Sequence, residues 1–337
     1  MSPTQNPIDT KEPLISKPTT GAGSTNLRRR SLLGAILGLT LGGPANSKPK
    51  INTVEKIEQA IDRLHIKSGY VAELKIESGK VKFKQTLDQK DASIIAPIAS
   101  LTKLLTVLSV HEICNAYKIN KDVLVEIEQE DKDNASKSKQ PKIKTGQKFS
   151  INNLIQMALT SSNNEAAEAL ARHVGSKLPG GGKGRDKFIK YMNDKAKSLH
   201  MLKSKFDSPS GLSAGNTSTP MDIDTLVLAV YNSPYRIGSL TTKTEGTDLS
   251  PHTHLRNANV LLLKILEDDP DFEALIQKTG YIDESGKCIT LMVRNIQNDK
   301  IFIITLFDTA IGHKGRSGDP IRRAKVRHIL SILRKIH

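Results

Sequence analysis

Ala96-Pro97-Ile98-Ala99-Ser100-Leu101-Thr102-Lys103, running straight into Leu104-Leu105-Thr106-Val107-Leu108-Ser109-Val110, is the stretch on which the fold turns. Residues 104–119 are strongly apolar with few charges, which predicts a helix buried all round. At its start Ser100 and Lys103 stand at i and i+3, on one helix face. A serine becomes a nucleophile only with a base beside it. A lysine can be that base when burial or a neighbouring cation lowers its proton affinity. The helix N-terminus adds a field that favours a developing anion.

Upstream, Val54, Ile57, Ile61 and Leu64 give residues 52–66 helical spacing. Tyr70–Ile76 and Val81–Thr86 then read as two strands joined at the turn dipeptide Ser78-Gly79. Downstream, residues 126–148 are rich in Lys, Asp, Ser and Gln and read as a solvated, mobile insertion. Ile151–Met157, Ala166–Val174 and Phe188–Leu199 follow as helices, and 220–232 as another with Pro220 in its first turn and Thr219 as cap. Cys288–Arg294 and Lys300–Phe307 read as strands, and 320–337 as a closing helix. The expected fold is α+β, an antiparallel sheet flanked by terminal helices and split by an all-α subdomain at about 104–235.

The chain has 337 residues, 37% of them hydrophobic, enough to bury a sizeable core without disulfide or metal staples. No apolar run approaches the roughly 20 residues that cross a bilayer. Arg28-Arg29-Arg30 lead into the short apolar stretch Leu32–Leu41 and then Gly42-Gly43-Pro44-Ala45, which reads as an export signal over residues 1–45, similar to the twin-arginine type. The mature domain is then 46–337, outside the cytoplasm. Removing five cations and two carboxylates with the signal takes the net charge from +15 to +12. That excess points to an anionic partner, and export with only 4% aromatic residues disfavours nucleic acid. Cys114 and Cys288 are flanked by apolar residues and read as buried free thiols, although spacing alone does not say whether they approach each other. The nine histidines show no metal-ligand spacing, so neither metal nor cofactor is expected.

Ser-x-x-Lys occurs three times, at Ser47/Lys50, Ser100/Lys103 and Ser136/Lys139, and only the middle copy opens a packed helix. Ser162-Asn163-Asn164 precedes the helix that begins near Glu165, where Ser and Asn also serve as ordinary caps. Lys278-Thr279-Gly280 stands just before the strand near Cys288, and Lys144-Thr145-Gly146 repeats its letters at the edge of the charged insertion.

The three motifs in this order, with the surrounding Phe206-Asp207-Ser208-Pro209-Ser210-Gly211-Leu212 and Arg256-Asn257-Ala258-Asn259, resemble the serine D-alanyl-D-alanine peptidases of the low-molecular-mass penicillin-binding proteins. The resemblance covers about residues 52–330 and implies the fold these enzymes share with β-lactamases. It implies an acyl-enzyme on Ser100, with Lys103 as base and Ser162 relaying the proton to the leaving amine. Asn164 would hold the peptide and Lys103; Lys278 and Thr279 would bind the substrate carboxylate or side chain; Gly280 would admit the substrate backbone. The N–H groups of Ser100 and Tyr281 would form the oxyanion hole, and Arg316 is a weaker candidate for a carboxylate contact. Asn163 and Tyr281 depart from commoner residues of the family at tolerated positions.

The chain ends at His337, where several carboxypeptidases of the family continue into a β-rich domain and an amphipathic anchor. With Ala158-Leu159-Thr160-Ser161-Ser162-Asn163 and Lys195-Ala196-Lys197-Ser198-Leu199, it looks most like the endopeptidase branch, which cuts peptidoglycan crosslinks in the periplasm. Peptidoglycan peptides and β-lactams are the implied partners, with at most peripheral membrane association. A carboxypeptidase that trims pentapeptides is the alternative; a β-lactamase or an inactive wall-binding homologue fits less well.

Overall fold

The computed structural model describes residues 61, 63–135, 143–243, 247–250 and 253–336. The expected export signal lies outside them, as does most of the expected helix 52–66. Of its residues, 61 and 63–66 are described, and they form a turn rather than the expected helix; Ile61 there is buried, and its N–H donates to Asp88 Oδ2 at 2.9 Å.

Strands β1 (Ser68–Glu77) and β2 (Lys80–Lys90) form the expected hairpin. Ser78 and Gly79 take φ of 53° and 72°, so both central residues of the two-residue turn are left-handed, the geometry that matches the twist of a hairpin. Three late strands, β3 (Phe272–Ile282), β4 (Gly286–Asn295) and β5 (Ile301–Phe307), complete a five-stranded antiparallel sheet in the order β2-β1-β5-β4-β3.

Between hairpin and late strands lies the helical region. Helix α1 (Thr102–Ala116) is buried from Thr102 to His111, as its unpatterned apolar sequence requires. Around it stand α2 (Ile151–Thr160), α3 (Asn164–Gly175) and α4 (Gly184–Ser198), while α5 (Pro220–Asn232) lies against the sheet. Ser150, Asn163 and Thr219 cap α2, α3 and α5, each accepting a main-chain N–H three residues on. After α6 (Val260–Glu267), the closing helix α7 (Asp319–Leu333) packs Val326, Ile329, Leu330 and Leu333 on the outer sheet face, against Leu291, Phe302 and Ile304. Ile301 and Ile303 alternate to the inner face and join the helical core. Among the described residues no helix is long and apolar enough to cross a membrane. Cys114 and Cys288 are both buried and free.

Two expectations are corrected. Lys278-Thr279-Gly280 does stand ahead of the strand that holds Cys288, but it is not a lead-in loop: it lies inside β3, an edge strand that the sequence pattern missed. The outward N–H of Gln277 donates to Thr241 Oγ1 at 3.1 Å, because the short helix Ile237–Thr242 covers that part of the edge. Burial on both sides there hides the two-residue alternation. Nor is 126–148 simply a solvated loop. Leu124–Glu126 pairs with Lys148–Ser150, Ile127 and Ile143 are buried, and buried Asp131 is ion-paired with Arg172 of α3 at 2.8 Å. A few apolar residues within a charged stretch suffice to pin it.

Candidate active site

Ser100 sits in the 3-10 turn Ala99–Leu101 that leads into α1. Ala99 is held at φ 48°, a strained value for a residue with a Cβ. What holds it is the segment 206–216. Thr102 Oγ1 donates to Ala99 O at 2.8 Å and accepts from Asn216 Nδ2 at 2.9 Å, and Ile98 N–H donates to Asn216 O at 3.0 Å. Gly211, at φ 78°, passes so close that a Cβ there would stand 2.1 Å from Ala99 O.

Lys103, one turn along α1, is fully buried. Its Nζ lies 2.8 Å from Ser100 Oγ, 2.6 Å from Asn164 Oδ1 and 2.6 Å from Ser210 O. The last two are acceptors only. A neutral amine gives its two N–H bonds to them and turns its lone pair to the Ser100 hydroxyl, which is the arrangement of a general base. Burial first, and then the neighbouring Lys278, push Lys103 well below the usual lysine range, while Glu168 pulls the other way.

Ser162 also has a left-handed backbone, φ 58°, and the cap of α3 is Asn163 rather than this serine. Its hydroxyl is thereby released into the site, where Lys278 Nζ donates to Ser162 Oγ at 2.9 Å. Lys278 donates a second bond to Thr279 O at 2.9 Å. Burial, with the Arg322 guanidinium beside it, brings Lys278 down to about 7, so a modest change in surroundings moves its proton. Thr279 Oγ1 donates to Asn259 Oδ1 at 2.6 Å.

Gly280 brings β3 against the nucleophile turn. A Cβ there would meet Ile98 O at 2.8 Å and Ser100 N at 3.0 Å, so no side chain fits without displacing Ser100. The next residue, Tyr281, is fixed at its far end: its OH donates to Asp283 Oδ1 at 2.5 Å and accepts from Gly315 N at 2.8 Å, with Lys287 Nζ 4.5 Å over the ring. A cleft of about 500 Å³ opens here, lined by Ser100, Ser162, Asn164, Thr279, Gly280 and Tyr281 among others. Three segments far apart in sequence thus bring three hydroxyls, those of Ser100, Ser162 and Thr279, together with two buried amines and an amide at one cleft.

Arg316 belongs to the turn Gly315–Gly318, and its contact remains an expectation. The arginine found lining the cleft is Arg322, buried on the inner face of α7 and bonded to Asp319 Oδ1 at 3.0 Å. Sequence reading passed over it, yet it stands where the α7 spacing of Val326, Ile329 and Leu333 calls for an apolar residue. Glu168 was missed as well, although it interrupts the apolar run Ala166-Ala167-Glu168-Ala169-Leu170. Among the described residues no cluster of three His, Cys, Asp or Glu side chains is placed to hold a metal.

Comparison with known proteins agrees with this geometry. The family model described as D-alanyl-D-alanine carboxypeptidase matches residues 57–309. The chain is 31% identical to a D-alanyl-D-alanine endopeptidase of Escherichia coli over 72% of each chain. It is 32% identical to one from Haemophilus influenzae, over 68% of this chain and 74% of the relative. Among solved structures, penicillin-binding protein D2 of Listeria monocytogenes in its ampicillin-bound form superposes with a TM-score of 0.59 at 22% identity, over 80% of this chain and 98% of that one.

Proposed function

Because the chain belongs to the D-alanyl-D-alanine carboxypeptidase family of serine peptidases, we propose that it cuts D-alanyl crosslinks of peptidoglycan through an acyl-enzyme on Ser100. The observation that carries the mechanism is the Lys103 amine 2.8 Å from Ser100 Oγ, its other two bonds taken by Asn164 and Ser210. Lys103 takes the hydroxyl proton as Ser100 attacks the D-alanyl carbonyl. The oxyanion forms against the N–H groups of Ser100 and Tyr281, where one lost donor typically costs on the order of 10²–10³ in rate. Ser162, held by Lys278, carries a proton to the departing nitrogen. Thr279 and Asn164 line the cleft where they can fix the substrate, and Arg322 adds positive charge on the side of a substrate carboxylate. Water then releases the acyl group. A penicillin follows the same path as far as the acyl-enzyme and stays there.

The endopeptidase reading is supported by relatives that carry that name; the carboxypeptidase reading is supported by the description of the family model. An export signal over residues 1–45, a catalytic domain over 46–337 and a periplasmic location complete the proposal, supported by the Arg28–Leu41 pattern and by a wall substrate that lies outside the cytoplasm. The protein is to be incubated with crosslinked muropeptide dimers together with pentapeptide monomers and the products followed by mass spectrometry. Dimers falling to monomers while pentapeptides persist is the expected result. Pentapeptides losing one alanine while dimers persist would make it a carboxypeptidase.

A further inference from the structure

Glu168 is a fully buried carboxylate in a stretch of α3 that is buried all round, its chain neighbours being Ala166, Ala167, Ala169 and Leu170. Such a group persists only where it is partnered. Its two oxygens are partnered differently. Oε2 accepts from Arg185 Nε of α4 at 2.8 Å, which is an ordinary buried ion pair. Oε1 accepts from Ser210 Oγ at 2.7 Å, and the carbonyl of that same Ser210 accepts from Lys103 Nζ at 2.6 Å. Thr106 Oγ1 clamps the preceding peptide by donating to Pro209 O at 2.6 Å. A carboxylate, a hydroxyl, a main-chain carbonyl and the amine beside the nucleophile therefore form one bonded series.

We propose that Glu168 is a positioning residue for Lys103: through Ser210 it fixes the carbonyl that aims the amine, and it supplies the negative charge facing Lys103 when the amine takes the Ser100 proton. This rests on the acyl-enzyme reading above. Acylation turns Lys103 into an ammonium in a fully buried position, with the cation Lys278 facing it from β3 and Arg322 of α7 standing beyond Lys278. Asn164 of α3 and the Ser210 carbonyl facing it are neutral, and Arg185 reaches it only across Glu168. Glu168 is thus the carboxylate that counters burial and Lys278 at this amine. Burial pushes Glu168 itself upward, against Arg185, Ser210 and Lys103, which favour its charged form. Arg185 therefore has a function of its own, which is to keep the counter-charge ionised.

The test measures acylation of Ser100 by a fluorescent penicillin from about pH 5 to about pH 10, in the full chain and in its Glu168→Gln, Glu168→Asp and Ser210→Ala variants. In Glu168→Gln the acid limb moves down by about one pH unit or more, because Lys103 loses its proton more readily, and the plateau falls severalfold because it is a weaker base. Glu168→Asp keeps the charge and returns the limb most of the way. Ser210→Ala removes the bridge but keeps the carbonyl, so it shifts the limb the same way by less, and it decides the matter should Glu168→Gln fail to fold. A plateau that falls while the limb stays fixed in every folded variant overturns the proposal, leaving Glu168 a structural ion pair. A wild-type chain that takes no label at Ser100 overturns the acyl-enzyme reading, and this inference with it.

Discussion

Lys-Thr-Gly occurs twice in this chain, and the two copies differ in everything except their letters. Lys144 and Thr145 lie exposed in a turn, where Lys144 N–H bonds Gln147 Oε1 and Gly146, at φ 86°, has open space around it. Lys278 and Thr279 are buried in an edge strand, and Gly280 is pressed against the nucleophile turn. Water solvates the first lysine. The second has lost water and gained Ser162, Thr279 O and a nearby guanidinium, so its proton is held loosely enough to move near neutrality. Chemistry here comes from the dry, crowded setting, which the three letters do not carry.

Paired substitutions in the two copies break or sharpen that contrast. The largest effect is expected from Lys278→Ala, which removes the partner of Ser162 and lowers the acylation rate by roughly 10³, within the range typical of a lost proton-transfer group; stopped-flow acylation of Lys144→Ala should match the parent. Next is Gly280→Ala. Its Cβ would stand 3.0 Å from Ser100 N, and the shift it forces should cost about 10² in rate. Gly146→Ala meets no atom within 4 Å, so its positive φ costs stability of about 1 kcal/mol, read from a thermal melt, without loss of rate. Thr279→Val deletes one hydroxyl of the cleft and is expected to lower hydrolysis of a crosslinked dimer about tenfold, the worth of about one hydrogen bond, where Thr145→Val does nothing.

The contrast extends to stability. Burial lowers Lys278 from 10.5 to about 7, so between those values the unfolded chain binds the extra proton. Stability attributable to this group therefore rises with pH across that window, by at most about 1.4 kcal/mol per pH unit, and is lowest below pH 7, where the buried ammonium must be carried. Denaturant titrations from neutral to alkaline pH should show a shallower slope in Lys278→Met than in the parent chain.

Much of this was legible in the sequence. The all-round apolar helix after Lys103, the Ser78-Gly79 hairpin and the Thr219-Pro220 helix start follow from local rules, and local rules are what a sequence displays. The order of the three motifs led to the expectation that Ser100, Lys103, Ser162, Asn164 and Lys278 share a site, and in the structure Lys103 bonds Ser100 and Asn164 while Lys278 bonds Ser162. What escaped is set by partners distant in sequence. β3 is an edge strand covered at one end by the helix Ile237–Thr242, so its burial has no period of two. Asp131 looks solvated until Arg172, forty-one residues on, pairs with it. Glu168 and Arg322 each put a charge where an apolar residue was due, and only contacts with Ser210, Arg185, Asp319 and Asn259 say why. A charged residue breaking a helix's apolar run, as Glu168 does, or its apolar spacing, as Arg322 does, within a chain already carrying a catalytic motif set, is the signal that would have found both.

The most direct test of the central claim is to react the protein with a penicillin, digest it, and map the adduct by tandem mass spectrometry in the parent and in Lys103→Ala. One penicilloyl group on Ser100, absent from a folded Lys103→Ala variant, is the result expected from an amine 2.8 Å from that hydroxyl. An adduct on another serine, or equal labelling without Lys103, would contradict it.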